Sequence, residues 1–374
     1  MSPITVKLSH KSYPVLITSG ENRSLRSLLS GAGPEARYLV FFDSQFYALH
    51  GAALTKRFGL GRNQVYELVI PSGERSKSRA QLHMLQDYLL SIPAARTDLI
   101  VACGGGVTTD LVGYLAATTL RGIRWAAIPT TLLGMVDAAI GGKTAINHRL
   151  GKNLIGAFWH PEFVWCDVGF LLTLAPRQMI AGLGEVLKYA GLSGGRMIED
   201  LRRFLLQGNL YAERQLFGLI RRSAEIKADI VGRDEREADV RMFLNFGHTF
   251  GHAIEKALGY GRLLHGEAVI LGIVAALELG ELAGKTKKSE AYRALAQEFV
   301  SLVPRRRIEV EDVIRATGVD KKRHGADLNY VLLASPGKPF IAAGLKPAVV
   351  RKAVQRMLAY YKDHGGKRAH HFGR

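Results

Sequence analysis

Asp98-Leu99-Ile100-Val101-Ala102-Cys103 runs straight into Gly104-Gly105-Gly106-Val107 and then Thr108-Thr109-Asp110. An apolar run without polar alternation predicts a strand buried on both faces, as in parallel sheets. The glycines end that strand and let a helix begin. Its first N–H groups and positive dipole end suit a phosphate, with no Cβ in the way. Gly105, Gly106 and Val107 are therefore candidates to cradle a pyrophosphate, although glycines at a strand end also serve as plain turn punctuation and the full G-x-G-x-x-G pattern is absent.

The same plan repeats on either side. Residues 36–43, 64–70 and 125–129 are short apolar runs bounded by turn residues, with longer amphipathic segments between them. That alternation predicts βαβ units and a parallel sheet. Asp43, at the end of one strand, can accept hydrogen bonds from a ribose, and the loop 71–77 ends another, so three strand ends would face one ligand. Past Pro176 the strand signal fades. Helices are predicted over 178–206, 210–230, 243–258, 266–283, 290–300 and 347–361, with an extended pair at 329–335 and 338–342. The expected organisation is a Rossmann-like α/β domain over 1–176, an all-α domain over 177–361, and a flexible basic tail over 362–374. Gly141-Gly142-Lys143-Thr144 resembles the end of a P-loop, but Asp137 stands where that motif needs its first glycine. With Lys152 and Asn153 nearby, the segment still suits phosphate and carboxylate groups.

A length of 374 residues fits two domains at about 100–200 residues each. The two cysteines, Cys103 and Cys166, lie in apolar runs and read as buried thiols in a reducing compartment. No apolar run approaches the ~18 residues of a spanning helix, and the N-terminus lacks a signal pattern. A soluble, cytoplasmic protein without membrane partners is expected. The formal net charge of +18 is spread along the chain, with local excess in Arg305-Arg306-Arg307 and the tail. Because no nucleic-acid motif accompanies it, the charge is read as serving a polyanionic small substrate rather than a nucleic acid.

Asn245-Phe246-Gly247-His248-Thr249-Phe250-Gly251-His252 leads into Ala253-Ile254-Glu255, and His265-Gly266-Glu267 follows. Imidazoles occupy positions in an apolar helical pattern that a packed core would fill with Leu or Ala. Neutral histidine is a common metal ligand. His248 and His252 leave one helix face a turn apart and could grip an ion together with a carboxylate. Alternatively His248 and His265 bind it from successive helices and leave His252 to the substrate. Spacing allows both, and also a purely structural hydrogen-bonded cluster.

Taken in order, Gly104-Gly105-Gly106, Pro129-Thr130-Thr131, the 137–143 loop, Gly151-Lys152-Asn153, Gly184-Glu185 with Lys188, Asp234-Glu235-Arg236-Glu237, the 245–252 segment, His265-Gly266-Glu267 and Asp320-Lys321-Lys322 resemble the 3-dehydroquinate synthase family of sugar-phosphate cyclases. The resemblance covers nearly the whole chain up to about Tyr361. It implies conversion of 3-deoxy-D-arabino-heptulosonate 7-phosphate to 3-dehydroquinate and phosphate, through transient oxidation by NAD, phosphate elimination, re-reduction and aldol closure. It also implies a homodimer.

The resemblance assigns Glu185, His248 and His265 to Zn2+ or Co2+, and His252 to substrate. Asn153, Asn245, His252 and Lys321 are implied toward phosphate, and Lys143, Lys227 and Arg241 toward carboxylate and hydroxyls. Asp137 and Lys188 would organise hydroxyls and the metal surroundings. Arg121 would reach phosphate from a neighbouring subunit, or be an ordinary exposed arginine. For NAD it implies Asp43, Glu74, Lys77, Gly105, Gly106, Val107, Asp110, Thr130, Thr131, Lys143, Lys152, Phe170 and Thr173. Two departures stand out: Thr108-Thr109 bring branched side chains, or hydroxyl donors, beside the pyrophosphate, and Ser72 replaces the commoner Asp. Glu267, beside His265, either supports the metal group or is a solvated helix-face residue, and the second reading is preferred. Rival readings are a cyclase for sedoheptulose 7-phosphate or glucose 6-phosphate, a glycerol-dehydrogenase-like oxidoreductase, and a basic nucleic-acid binder on an inactivated cyclase fold.

Overall fold

The apolar run at 98–103 becomes a strand, Leu99–Gly104, buried at every residue. A computed structural model describes this strand within residues 2–21, 23–33, 36–61, 64–92, 94–318 and 328–368. The chain divides into two compact units, Met1–Leu174 with Lys227–Arg236, and Ala175–Ile226 with Glu237–Arg374.

In the first unit the strands are β1 (Ile4–Lys7), β2 (Ser12–Thr18), β3 (Tyr38–Asp43), β4 (Val65–Ile70), β5 (Leu99–Gly104), β6 (Arg124–Pro129), β7 (Lys143–His148), β8 (Gly151–Phe158) and β9 (Val164–Asp167). Seven of them form one sheet in the order β1-β2-β9-β6-β5-β3-β4, while β7 and β8 pair separately as a hairpin. All neighbours in the large sheet are parallel except β1 and β2. Phe42 pairs with Cys103, Asp43 with Ile70 and Gly104 with Pro129, so four strands end along one edge. Helices α1 (Arg23–Ser30), α2 (Ser44–Phe46), α3 (Ala52–Phe58), α4 (Arg79–Ser91) and α5 (Gly106–Thr118) connect them.

The second unit is built of α6 (Pro176–Ser193), α7 (Arg196–Leu206), α8 (Glu213–Arg233), α9 (His248–Leu258), α10 (His265–Leu282), α11 (Glu290–Val300), α12 (Val310–Thr317) and α13 (Pro347–His364), with a hairpin of β10 (Tyr330–Ser335) and β11 (Lys338–Ala342). The last turns of α8 belong to the first unit. Helix α10 is buried from Gly266 to Gly280 and largely apolar around its whole circumference, Glu267 and Glu278 apart, as expected of a helix at the centre of a bundle.

Some predicted elements differ. The helix read over 178–206 breaks at Gly194 and Gly195, whose φ values of 64° and 56° suit glycine and end α6. The helix read from 243 starts only at His248, because Gly247 takes φ 80° after a 3-10 turn, Val240–Asn245. The stretch around 143–158, read as a loop, is the β7–β8 hairpin. Part of the predicted tail is structured, since α13 runs to His364 and the Arg368 amide donates to Ser301 O at 3.0 Å. Residues 369–374 lie outside the described residues. Among the described residues no helix is long and apolar enough to cross a membrane.

Candidate functional site

At the end of β5 the glycines serve their own packing. A Cβ on Gly104 would stand 2.5 Å from Thr108 Oγ1, one on Gly105 3.0 Å from Thr131 Cγ2, and one on Gly106 3.1 Å from Ala138 Cβ. Gly105 precedes α5 without a side-chain cap, so Gly106 and Val107 open the helix with backbone N–H groups suited to an anion. The Thr130 amide donates to Gly104 O at 3.0 Å, and Thr131 Oγ1 accepts from Gly134 N at 3.1 Å. The two threonines that depart from the family pattern are buried. Thr109 Oγ1 donates to Gly106 O at 3.2 Å, so this hydroxyl turns back onto its own helix.

Asp43 caps α2. Its Oδ1 accepts from Gln45 N at 3.0 Å, Phe46 N at 3.2 Å and Ser72 Oγ at 2.7 Å. Ser72, the other departure, therefore orients Asp43. Phe170 and Thr173 sit beside them on a 3-10 turn, Val168–Thr173. The Phe170 ring lies 4.9 Å from that of Phe46, and Thr173 Oγ1 lies 2.7 Å from His50 Nε2.

Glu74, Lys77, Asp110 and Asn153 form one network. Asn147 Nδ2 donates to Glu74 Oε1 at 2.6 Å and its Oδ1 accepts from Asn153 N at 3.0 Å. The buried Lys77 ammonium donates to Asp110 Oδ2 at 2.6 Å and also to Asn153 Oδ1. Asn153 has φ 56°, a conformation Asn tolerates better than most residues. Burial raises the Asp110 carboxyl against the pull of Lys77. Lys152 precedes Asn153 on β8, and Lys143 is exposed at the start of β7. A double-mutant cycle of Lys77→Met and Asp110→Asn, followed by urea unfolding, is expected to give a coupling energy above about 1 kcal/mol. Additive effects would mean that the pair contributes nothing.

Farther along the same unit, Lys227 Nζ donates to Asp137 Oδ1 at 2.8 Å and to Asp137 O at 2.7 Å. The next turn explains the paired glycines read as an anion loop. Gly141 N donates to Tyr13 Oη at 3.0 Å, and a Cβ on Gly142 would stand 2.6 Å from His160 Nδ1. Arg121 lies in a separate exposed turn with φ 63°.

In the second unit, glycines set the distance between helices. A Cβ on Gly184 of α6 would fall 2.3 Å from Gly266 O, and one on Gly272 of α10 would fall 2.0 Å from Gly247 O. Backbones thus touch directly, and Glu185, His248 and His265 come together. His248 Nε2 and His265 Nε2 lie 3.5 and 3.3 Å from Glu185 Oε1. Each ring has its other nitrogen engaged, His248 Nδ1 with Phe246 O at 3.3 Å and His265 Nδ1 with Glu255 Oε2 at 3.0 Å. Both Nε2 atoms therefore face the carboxylate, where a metal ion between them would take their lone pairs. Glu185 is fully buried, and neither of its oxygens receives a hydrogen bond of good geometry, although Lys188 Nζ stands 2.6 Å from Oε2.

Electrostatics asks for a cation at this point. Burial opposes charge on Glu185, but Lys188 and His248 outweigh it and hold the carboxyl well below the usual carboxylate range. Burial likewise favours a neutral His265, yet the carboxylates of Glu185 and Glu255 raise it to about 10. Two imidazoles and one carboxylate form the donor set of an open divalent-metal site. All three ligand atoms lie within 4.8 Å of one another, so the residues fit such an ion. Between the two pairings that spacing allowed, the structure brings His248 and His265 onto Glu185. His252 is exposed, its ring 5.5 Å from each of the other two.

Asn245, His248 and His252 border a cavity of about 290 Å³ that also meets Met242, Thr249, Asn329, Val331 and Ile341. Asn245 Nδ2 donates to Glu237 Oε1 at 2.8 Å, and Arg241 is buried on the same 3-10 turn. Lys321 lies outside the described residues. Glu267, read as a solvated face, is instead fully buried. Its Oε2 accepts from Leu264 N at 2.7 Å, and Arg177 clamps both oxygens at 2.7 and 2.9 Å, fixing the first turn of α10 beside His265. Sequence reasoning gave no role to Arg177 or Glu255. The available signal was an acidic residue in a helix's first turn and another on the face that carries the histidines.

The family profile described as 3-dehydroquinate synthase N-terminal matches residues 67–181, and that described as 3-dehydroquinate synthase C-terminal matches residues 182–323. The chain belongs to the 3-dehydroquinate synthase family. It is a sugar-phosphate cyclase of that family, with the family's α/β and helical regions. Similar solved structures include ValA, a 2-epi-5-epi-valiolone synthase from Streptomyces hygroscopicus subsp. jinggangensis 5008 with NAD+ and Zn2+ bound. It is 25% identical, covering 94% of this chain and 98% of that one, with a TM-score of 0.82. A 2-deoxy-scyllo-inosose synthase complexed with carbaglucose-6-phosphate, NAD+ and Co2+ is 23% identical over 95% of this chain and 100% of that one, at TM-score 0.81. Glycerol dehydrogenase from Schizosaccharomyces pombe shares the fold less closely, with 17% identity over 93% of this chain and 89% of that one, at TM-score 0.62.

Proposed function

We propose that this cyclase is a 3-dehydroquinate synthase, dependent on NAD+ and Zn2+ or Co2+, which converts 3-deoxy-D-arabino-heptulosonate 7-phosphate to 3-dehydroquinate and phosphate. The observation that carries the reading is the convergence of two imidazole Nε2 atoms on Glu185 beside a cavity bordered by Asn245 and His252. When bound, NAD+ supplies a reversible hydride acceptor, and the divalent ion orients and acidifies substrate hydroxyls.

The chain's own part is orientation and charge. Glu185, His248 and His265 would hold the ion, and Lys188 keeps the buried Glu185 ionised. Lys227 fixes Asp137, which would orient substrate hydroxyls, while Gly105, Gly106 and Val107 offer N–H groups to the dinucleotide phosphates. Arg241, Asn245, His252 and Lys321 are all present in the dehydroquinate synthase pattern. That supports a substrate carrying both a carboxylate and a phosphate over sugar phosphates that lack the carboxylate. The homodimer and the reach of Arg121 to a neighbour's phosphate rest on the family resemblance.

Purified protein with Co2+ and catalytic NAD+ is expected to release phosphate from the heptulosonate phosphate without net NADH. Steady accumulation of NADH favours a dehydrogenase. Preference for sedoheptulose 7-phosphate or glucose 6-phosphate favours another cyclase, and either result sinks the proposal.

A further inference from the structure

We infer that Glu255 is a positioning residue for the metal group, holding His265 in the tautomer and ring orientation that aim Nε2 at Glu185. The inference rests on the metal reading above. Glu255 lies three residues after His252 and seven after His248, so all three share one face of α9. It is 2% exposed, on a helix whose buried residues otherwise include Phe250, Ala253 and Ile254. A carboxylate kept there in place of a leucine is destabilising unless its charge is compensated. Its Oε2 meets His265 Nδ1 at 3.0 Å.

The two metal-facing histidines are held differently. His248 leans on a backbone carbonyl, Phe246 O, which cannot be mutated away, and its side chain is 11% exposed. His265 is the first residue of α10, its side chain is 31% exposed, and its Nδ1 contact is a side chain from another helix. Without Glu255 its ring is free to flip or to place its proton on Nε2, and either change takes away the Nε2 lone pair that an ion beside Glu185 would need. A carboxylate on the outer nitrogen also makes the imidazole a stronger donor. A competing arrangement is that Glu255 itself ligates, since His252, Glu255 and His265 each offer an atom within 4.8 Å of the others. The geometry favours the positioning role, because Nε2 of His265 is turned toward Glu185 and Nδ1 toward Glu255.

The test compares wild type, Glu255→Gln, Glu255→Ala and Glu185→Gln by Zn2+ affinity in chelator competition and by the visible spectrum of the Co2+-loaded protein. Far-UV circular dichroism checks folding. Gln keeps an acceptor for Nδ1–H, so Glu255→Gln is expected to weaken Zn2+ binding by about 10-fold and Glu255→Ala by about 100-fold, each still loading one Co2+ with a shifted band. Glu185→Gln is expected to lose the ion. Unchanged affinity and spectrum in a folded Glu255→Ala protein overturn the inference. So does loss of the ion in Glu255→Ala with retention in Glu185→Gln, which makes Glu255 a ligand. A wild-type protein that takes up no Co2+ overturns the metal reading itself, and the inference with it.

Discussion

His265→Ala is expected to abolish turnover and metal retention together. The substitution removes one of the two imidazoles whose Nε2 atoms stand within 3.5 Å of Glu185 Oε1. Structural zinc sites gain about 10–16 kcal/mol from their ligand set, so one ligand is worth roughly 3–4 kcal/mol. At about 1.4 kcal/mol per tenfold, affinity should fall by about a few hundredfold. Turnover should fall at least as far, because hydroxyl activation is the contribution the ion would make. Elemental analysis after gel filtration, beside phosphate-release rates, reads both effects. The companion variant His252→Ala separates the two pairings that sequence spacing allowed. It should keep its metal and lose turnover, because His252 borders the cavity without facing Glu185. A metal-replete, fully active His265→Ala protein would refute the ligand assignment.

That contrast shows where sequence reasoning stopped. The buried strand β5 and the glycines after it were legible because an unbroken apolar run ending in glycine has few other physical realisations. β2 was not, since its half-buried pattern is interrupted by Pro14. The β7–β8 hairpin was hidden by its glycines and by outward apolar residues such as Leu154 and Phe158, both exposed. From spacing alone His248 and His252 looked like the natural pair with His248 and His265 as the alternative, and only the family resemblance decided for His265. What brings His265 to Glu185 is the approach of α10 to α6, a distance that no local pattern encodes. Glu267 was misread for a related reason. An acidic residue in a first turn looks solvated until Arg177, distant in sequence, is seen closing over it.

The helix approach carries the other large effect. In Gly266→Ala the added Cβ would lie 1.7 Å from Ala181 O and 2.5 Å from Ala181 C. These are backbone atoms within α6, so no side chain can swing away and the helices must separate. Gly266 lies in the first turn of α10 and is not among the positive-φ glycines, so conformation alone favours Ala there, by up to about 1 kcal/mol, the value for a helix interior. The sign of the result therefore isolates packing. Overpacking against rigid backbone should outweigh propensity and destabilise the protein by about 3 kcal/mol or more in urea unfolding. Moving α10 off α6 also draws His265 from Glu185, so the folded fraction should bind Co2+ weakly. Gly218→Ala on α8 is the control. A Cβ there meets nothing within 4 Å, and the change should stabilise by about 0.5–1 kcal/mol. If Gly266→Ala stabilised the protein as Gly218→Ala does, the two helices would not be in backbone contact, and the account of how the metal group is assembled would fail.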